Sequence, residues 1–443
     1  MNDSKRSLNL FAAVCMMTGC VVGASVFVVP GELAVSVGPA AWVSYLIGAI
    51  LMFFNCFIYA QVGAMLPVSG ANYMLCSTSV NGTCGFLYTW GFLLANSFLF
   101  PIMARTASTY LAVFFPVLES CTMIVSIVLM AATIAINMLG TNLSAAIQNG
   151  CVILLVAVVL LFSGGGIINA DWSHFDPLMP TGFMPVIMGA ISTYYAFAGV
   201  NCVIELSGDI KDPGKNIPRT MFISFGIVVL MYIGMCVGLV ALVPAEQLNV
   251  PTPAVTAAAV CFPGWFRYFI ALASIAACWT TLNAITSSMA RLLAMLGVTS
   301  VLPAGIAKTN RRGAPQNALI VLLVLAIALI LFSATVMQYV NISSFYLMFI
   351  TLLVAFASLN VKKKLPEQYA SAAYQLKGVW YYVWPILSIA SGLFFMALQF
   401  RDDIKMTGVS VILLPVGALL YLWRRKSMQA RGINLDEELL KGM

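Results

Sequence analysis

Long apolar runs recur along the chain, separated by short polar stretches. A spanning helix takes roughly 20 apolar residues. Hydropathy places twelve runs of that order, at about 8–35, 39–66, 84–114, 118–139, 141–165, 182–208, 218–243, 264–297, 315–335, 341–361, 378–399 and 406–424. The stretch Ala254 to Cys261, after Pro251-Thr252-Pro253, is too short to cross and is placed at the outer surface. The pattern predicts an all-α polytopic membrane protein with twelve transmembrane helices. A tail at 427–443 is too short to form a domain.

The first run differs from a plain spanning helix. Gly19-Cys20-Val21-Val22-Gly23-Ala24-Ser25 places small residues and two glycines at its centre. Backbone that leaves the helix at mid-membrane must be buried in protein or line a wet cavity. A broken helix there is a pointer to a transporter binding site. Span six repeats the feature in Tyr194-Tyr195-Ala196-Phe197-Ala198-Gly199-Val200-Asn201. These two spans open five-span groups at 8–165 and 182–361, and because five is odd the groups would be inverted relative to each other. Two further helices follow at 378–424. Either glycine alone is also consistent with close helix packing.

Composition agrees with the span count. Of 443 residues, 61% are hydrophobic and 8% charged, against about 25% charged in soluble domains. With the N-terminus inside, all but four of the 22 Lys and Arg fall in cytoplasmic segments, the exceptions being Arg105, Arg267, Arg401 and Lys405. That asymmetry places both termini in the cytoplasm. The Lys362–Lys364 and Arg424–Lys426 clusters read as topology anchors near anionic lipid. No cleavable signal peptide is expected.

The eleven cysteines show no metal-ligand spacing, and His174 is the only histidine. No cofactor or metal is expected, and His174, in a polar loop, is expected to be solvated. An enzyme would need a catalytic cluster, which the sequence lacks. ATP drive would need a phosphate-binding loop, also missing. Paired mid-membrane breaks fit a receptor or channel poorly. Nucleic acid is not an expected partner; lipid and a small solute are.

Three segments carry a family resemblance. Val22-Gly23-Ala24-Ser25-Val26-Phe27 with Pro30-Gly31 resembles the first-span signature of the amino acid–polyamine–organocation family. Phe197-Ala198-Gly199, Gly208 to Pro213 and Asn216-Ile217-Pro218-Arg219 resemble its sixth span and following loop. Arg291 to Met295, Leu302-Pro303, Lys308, Asn310, Gly313 and Pro315 resemble its eighth-to-ninth-span loop. The span-six motif is similar to that of the L-type neutral amino acid exchangers. The resemblance implies a LeuT-type five-plus-five inverted repeat and alternating-access transport of amino acids or amines at a plasma membrane, the bacterial cytoplasmic membrane being expected. The protein would act as a monomer or homodimer. Ser25 departs from the family's second glycine, and Leu154 or Leu155 stands where many relatives carry a span-five lysine.

Unwinding span one frees N–H groups at the positive end of its second half. Gly23, Ala24 and Ser25 are thus candidates to hold a carboxylate. The carbonyls near Val21 and Ala198 are candidates to accept from an ammonium. The resemblance implies that Tyr195 is an aromatic lid and gate. It also implies that Asn96, Phe100, Met103 and Ile285 line the pocket. Asn201, a neutral amide where cationic-substrate relatives often have Glu, favours neutral amino acids; it would alternatively satisfy freed backbone. A cationic amino acid or polyamine antiporter is the alternative. Glu205 shares a face with Asn201 and either carries a coupling proton or pairs with a basic inner loop. Arg105 is placed to snorkel, with a pairing to Glu32 open.

The charge asymmetry yields a direct test. An epitope inserted at Lys362–Lys364 should be reached by antibody only after the membrane is permeabilised; staining of intact cells would contradict the topology.

Overall fold

The structure is a computed structural model, and it describes residues 8–68, 70–205, 207–332, 336–402, 404–432 and 435. Its helices in chain order are α1 Leu10–Val22, α2 Val29–Val37, α3 Ala41–Met65, α4 Ala71–Ser79, α5 Gly82–Ser97, α6 Leu99–Leu111, α7 Thr122–Met138, α8 Thr141–Ile168, α9 Phe183–Ala196, α10 Cys202–Glu205, α11 Pro213–Leu242, α12 Pro253–Cys261, α13 Phe266–Val298, α14 Gln316–Leu331, α15 Val336–Leu359, α16 Val361–Lys364, α17 Pro366–Ser371, α18 Trp380–Asp402 and α19 Ile404–Gln429. Among the described residues there is no strand, only one isolated backbone bridge.

Among the described residues, ten helices are long and apolar enough to cross a membrane, and the bent pair α1–α2 makes an eleventh. The expected span 315–335 corresponds to α14, a shorter apolar helix, with 333–335 outside the described residues. Span three is α5 and α6 in line. The short run after Pro253 is α12, which packs on α8, α11 and α13. Residues 433, 434 and 436–443 of the tail assigned to 427–443 lie outside the described residues.

Burial separates the inner helices from the lipid-facing ones. α13, which contacts α1, α6, α7, α8 and α10, is 78% buried over its most apolar window, whereas α18 and α19 are 28% and 22% buried over theirs. The helices that touch both breaks therefore form the centre, and the two C-terminal helices form a flank. The chain before α1 is tied to the loop after α10. The Leu8 amide donates to Asp209 O at 3.0 Å, and the Lys211 amide to Leu8 O at 2.8 Å. Arg291, near the end of α13, adds an ion pair to Asp209 at 2.8 Å. This end, where Lys211 and Arg291 lie, is termed the basic face.

The breaks meet backbone to backbone. A Cβ on Gly199 would sit 2.6 Å from the Cys20 carbonyl carbon, too close for any side chain. Gly199→Ala should therefore cost about 1–3 kcal/mol and lower the melting temperature of the detergent-purified protein. Gly164→Ala on α8, where a Cβ meets nothing within 4 Å, serves as control and should not lower it. Equal melting of the two variants would contradict the close approach.

Candidate functional site

α1 ends at Val22 because Gly23 takes φ +36° and ψ −148°, a backbone conformation glycine adopts far more easily than other residues. A side chain there would also strike the Thr281 hydroxyl, 2.7 Å from the Cβ position. One short 3₁₀ turn, Ala24–Val26, follows, and α2 departs at 60° to α1. Span six is interrupted less sharply. α9 stops at Ala196, a 3₁₀ turn covers Ala198–Asn201, and α10 resumes at Cys202.

The last four carbonyls of any α-helix lack an intrahelical partner. In α1 these are Gly19 to Val22, and each meets a hydroxyl. Thr280 and Thr281 of α13 donate to Gly19 O at 3.1 and 2.8 Å, and Thr281 also lies 3.2 Å from Cys20 O. Tyr232 of α11 reaches Val21 O at 2.9 Å, and the Ser25 hydroxyl donates to Val22 O at 2.7 Å. The Tyr232 hydroxyl also lies 2.6 Å from the Ser25 hydroxyl and 2.7 Å from Ala196 O, where α9 ends. One phenol thus joins both breaks, its single proton shared among several acceptors. Its ring is clamped by Tyr45, stacked at 5.0 Å, and by Phe197, edge-on at 5.2 Å. Tyr45 in turn donates to Ser25 O at 2.9 Å.

The predicted site residues divide by what surrounds them. Val21, Gly23, Ala24 and Ser25 form the break itself, and all are buried. Met103 reaches it, its sulfur 3.3 Å from the Ala24 amide. Asn96, Phe100 and Met103 recur at helical spacing along α5 and α6 and are buried, so they share one face. Ile285 is fully buried on α13, one turn from Thr281 and one from Ser288, whose hydroxyl lies 3.3 Å from Cys202 O. Asn96 donates to Phe92 O at 2.8 Å, but its side-chain oxygen has no partner, and neither has that of buried Asn201. The side chains of Tyr195 and Ala198 lie outside the described residues.

Glu205 is fully buried and pairs with no basic group among the described residues. It accepts instead from Tyr88 at 2.7 Å and Asn72 at 2.9 Å. The basic group Arg291 takes Asp209. Burial pushes the Asp209 carboxyl above its ordinary range, and the Arg291 guanidinium pulls it back. Arg105 donates to Ile330 O at 3.0 Å and forms no ion pair with Glu32 among the described residues. His174 is more enclosed than a solvated side chain; its ring lies 3.1 Å from Val240 O and 3.7 Å from the Asp171 carboxylate.

Tyr232, Tyr45, Thr280 and Thr281 were not expected from the sequence. The signal available was a hydroxyl inside a long apolar run, which is costly in a membrane unless it has a partner. The Gln148 amide is a further polar group in such a run. Leu155 is buried in α8, and the polar reach from that helix comes from Gln148, which donates to Thr280 O of α13 at 3.2 Å and lies beside Gly19 of α1.

A family model described as amino acid permease matches residues 8–422. The chain belongs to the amino acid permease family. This permease is 26% identical to the methylthioribose transporter of Bacillus subtilis (strain 168) over 268 residues, 56% of this chain and 58% of the relative. It is 25% identical to the branched-chain amino acid permease BcaP of the same organism over 262 residues, 55% and 56% of the two chains. With the cationic amino acid transporter 1 of Arabidopsis thaliana it shares 23% over 376 residues, 81% and 63%. The permease thus spans less than two thirds of the length of these relatives. They are transporters, not enzymes.

Tyr232→Phe removes the one donor shared by Val21 O and Ala196 O. Leaving such a carbonyl bare in the interior costs about 1–3 kcal/mol. The variant should insert and purify, melt lower, and lose most uptake of any solute the wild type carries. Wild-type uptake would show that the phenol is dispensable to the site.

Proposed function

We propose that this permease is a secondary active transporter of neutral L-amino acids, working by alternating access across the plasma membrane with both termini cytoplasmic. The five-plus-five inverted repeat, 8–165 and 182–361, is part of the proposal, with 378–424 as the flanking pair. The carboxylate would lie against the amides of Gly23, Ala24 and Ser25, at the N-terminal end of the resumed helix. The ammonium would lie against the carbonyls of Val21 and Ala198, sharing Val21 O with Tyr232 or displacing it. The Met103 sulfur now at the Ala24 amide would yield to the substrate. Tyr195 is proposed as the gate above it.

The observation that carries the neutral preference is that, among the described residues, the side chains polar-bonded to the break are uncharged: Ser25, Tyr45, Met103, Tyr232, Thr280 and Thr281. The free amide oxygens of Asn96 and Asn201 add acceptors without charge. The nearest buried acid is Glu205, about 6 Å further along the helix than Asn201, so a second ammonium that does not reach it would be left without a counter-ion, which is expensive. The cationic alternative draws its support from the relatives named as cationic amino acid transporters.

Competition uptake in proteoliposomes separates the readings. Alanine, serine and leucine should compete at least about tenfold better than arginine, a difference of about 1.4 kcal/mol. Stronger competition by arginine would overturn the neutral assignment.

A further inference from the structure

Glu205 ends α10, four residues beyond Asn201, and is fully buried. Its Oε1 accepts from the Tyr88 hydroxyl at 2.7 Å and from the Asn72 amide at 2.9 Å, and that amide also reaches the Tyr88 oxygen at 3.0 Å. Among the described residues, Oε2 has no partner, and neither has Asn72 Oδ1. The titratable groups facing Glu205 are Tyr88 on α5, Tyr59 on α3 and Cys76 on α4. α1 brings the Cys20 thiol against Cys202 of α10. α13 carries two charged groups, Arg267 at its start and Arg291 near its end, and Arg291 is engaged by Asp209 of the turn after α10. No cation meets the Glu205 carboxyl among the described residues.

We propose that Glu205 is a proton-binding site that couples proton movement to substrate transport; the inference rests on the transporter reading above and names its coupling ion. A carboxylate sealed in protein without a counter-ion costs several kcal/mol. Ionisable groups inside spans carry that cost when they serve proton or substrate pathways. The two donors on Oε1 serve either protonation state, while the bare Oε2 is the atom that gains and loses the proton. The reaction is one O–H bond formed from Oε2 and a proton, and the same bond broken on release, with no change in the substrate.

The enclosure lies between elements that belong to different parts of the molecule. α4 and α5 precede and begin span three, whereas α10 resumes span six just past its break. Separation of α10 from α4 would admit water to Oε2 and release the proton toward the basic face. A cycle that carries a neutral amino acid with one proton moves net positive charge. A pH gradient of one unit then supports about tenfold accumulation.

The test uses purified full-length protein in proteoliposomes, with alanine as probe. Three quantities are read: alanine counterflow, accumulation under an inside-alkaline gradient of one unit, and the internal pH change reported by a trapped dye. Wild type should accumulate alanine up to about tenfold, with internal acidification on adding it. Glu205→Gln, which keeps an acceptor for Tyr88 and Asn72, should retain counterflow while losing both accumulation and acidification. Should that variant fail to insert, Tyr88→Phe, which removes one donor from Oε1, should shift the pH midpoint of uptake by about one unit. Wild-type counterflow without gradient-driven accumulation overturns the proton site and leaves the transporter reading intact. So does full accumulation by Glu205→Gln, or an unmoved midpoint in Tyr88→Phe. Absence of counterflow with every neutral amino acid tried is instead the failure of the neutral amino acid reading.

Discussion

The carbonyl oxygens of Gly19 to Val22 end a helix at the centre of the molecule, where no bulk water reaches. Their satisfaction by side-chain hydroxyls from α11, α13 and the 3₁₀ turn itself is what lets the chain stop being a helix there. Removing that supply would leave several buried carbonyls bare at about 1–3 kcal/mol each. The backbone would be driven back toward a continuous helix, which hydrocarbon tolerates. The amides proposed to hold the carboxylate are free of the helix only because it remains broken.

The same hydroxyls link the break to the rest of the molecule. Tyr232 touches the end of α1 and the end of α9 at once. A rotation of α11 relative to either would exchange one acceptor for another. Gly199, set against the Cys20 backbone, leaves no slack between the broken segments. At the basic face the tether is different in kind, a backbone bridge from Leu8 to the 209–211 segment with the Asp209–Arg291 ion pair beside it. A transporter needs such a division: a rigid centre that defines the site, and a peripheral closure made of polar contacts that water can replace.

Much of this was legible in the sequence. Among the described residues, eleven of the twelve spans that hydropathy located are matched by helices long and apolar enough to cross, counting the bent first span as one, because the lipid constraint acts on composition. Gly23 and Gly199 located the interruptions because a positive φ and a backbone contact both exclude other residues. Other partnerships were not legible. Tyr232 sits in a run of Ile, Val, Leu and Met with nothing to mark its target, since its acceptors lie more than thirty to two hundred positions away. Glu205 could be recognised as a costly buried acid, but whether it met a cation or hydroxyls depended on which face α10 turned toward α4. The expected ion pair went instead to Asp209, four residues on, where α10 has ended and the chain reaches Arg291.

The central claim is that the broken first span is the substrate site. The most direct measurement is an experimental structure of the permease in lipid with alanine bound. The account predicts the alanine carboxylate within about 3 Å of the Ala24 and Ser25 amides, its ammonium at Val21 O, and Met103 displaced from Ala24. Alanine bound elsewhere, for instance in the cavity of about 250 Å³ beside Glu32 and Ser192, with the Met103–Ala24 contact unchanged, would contradict it.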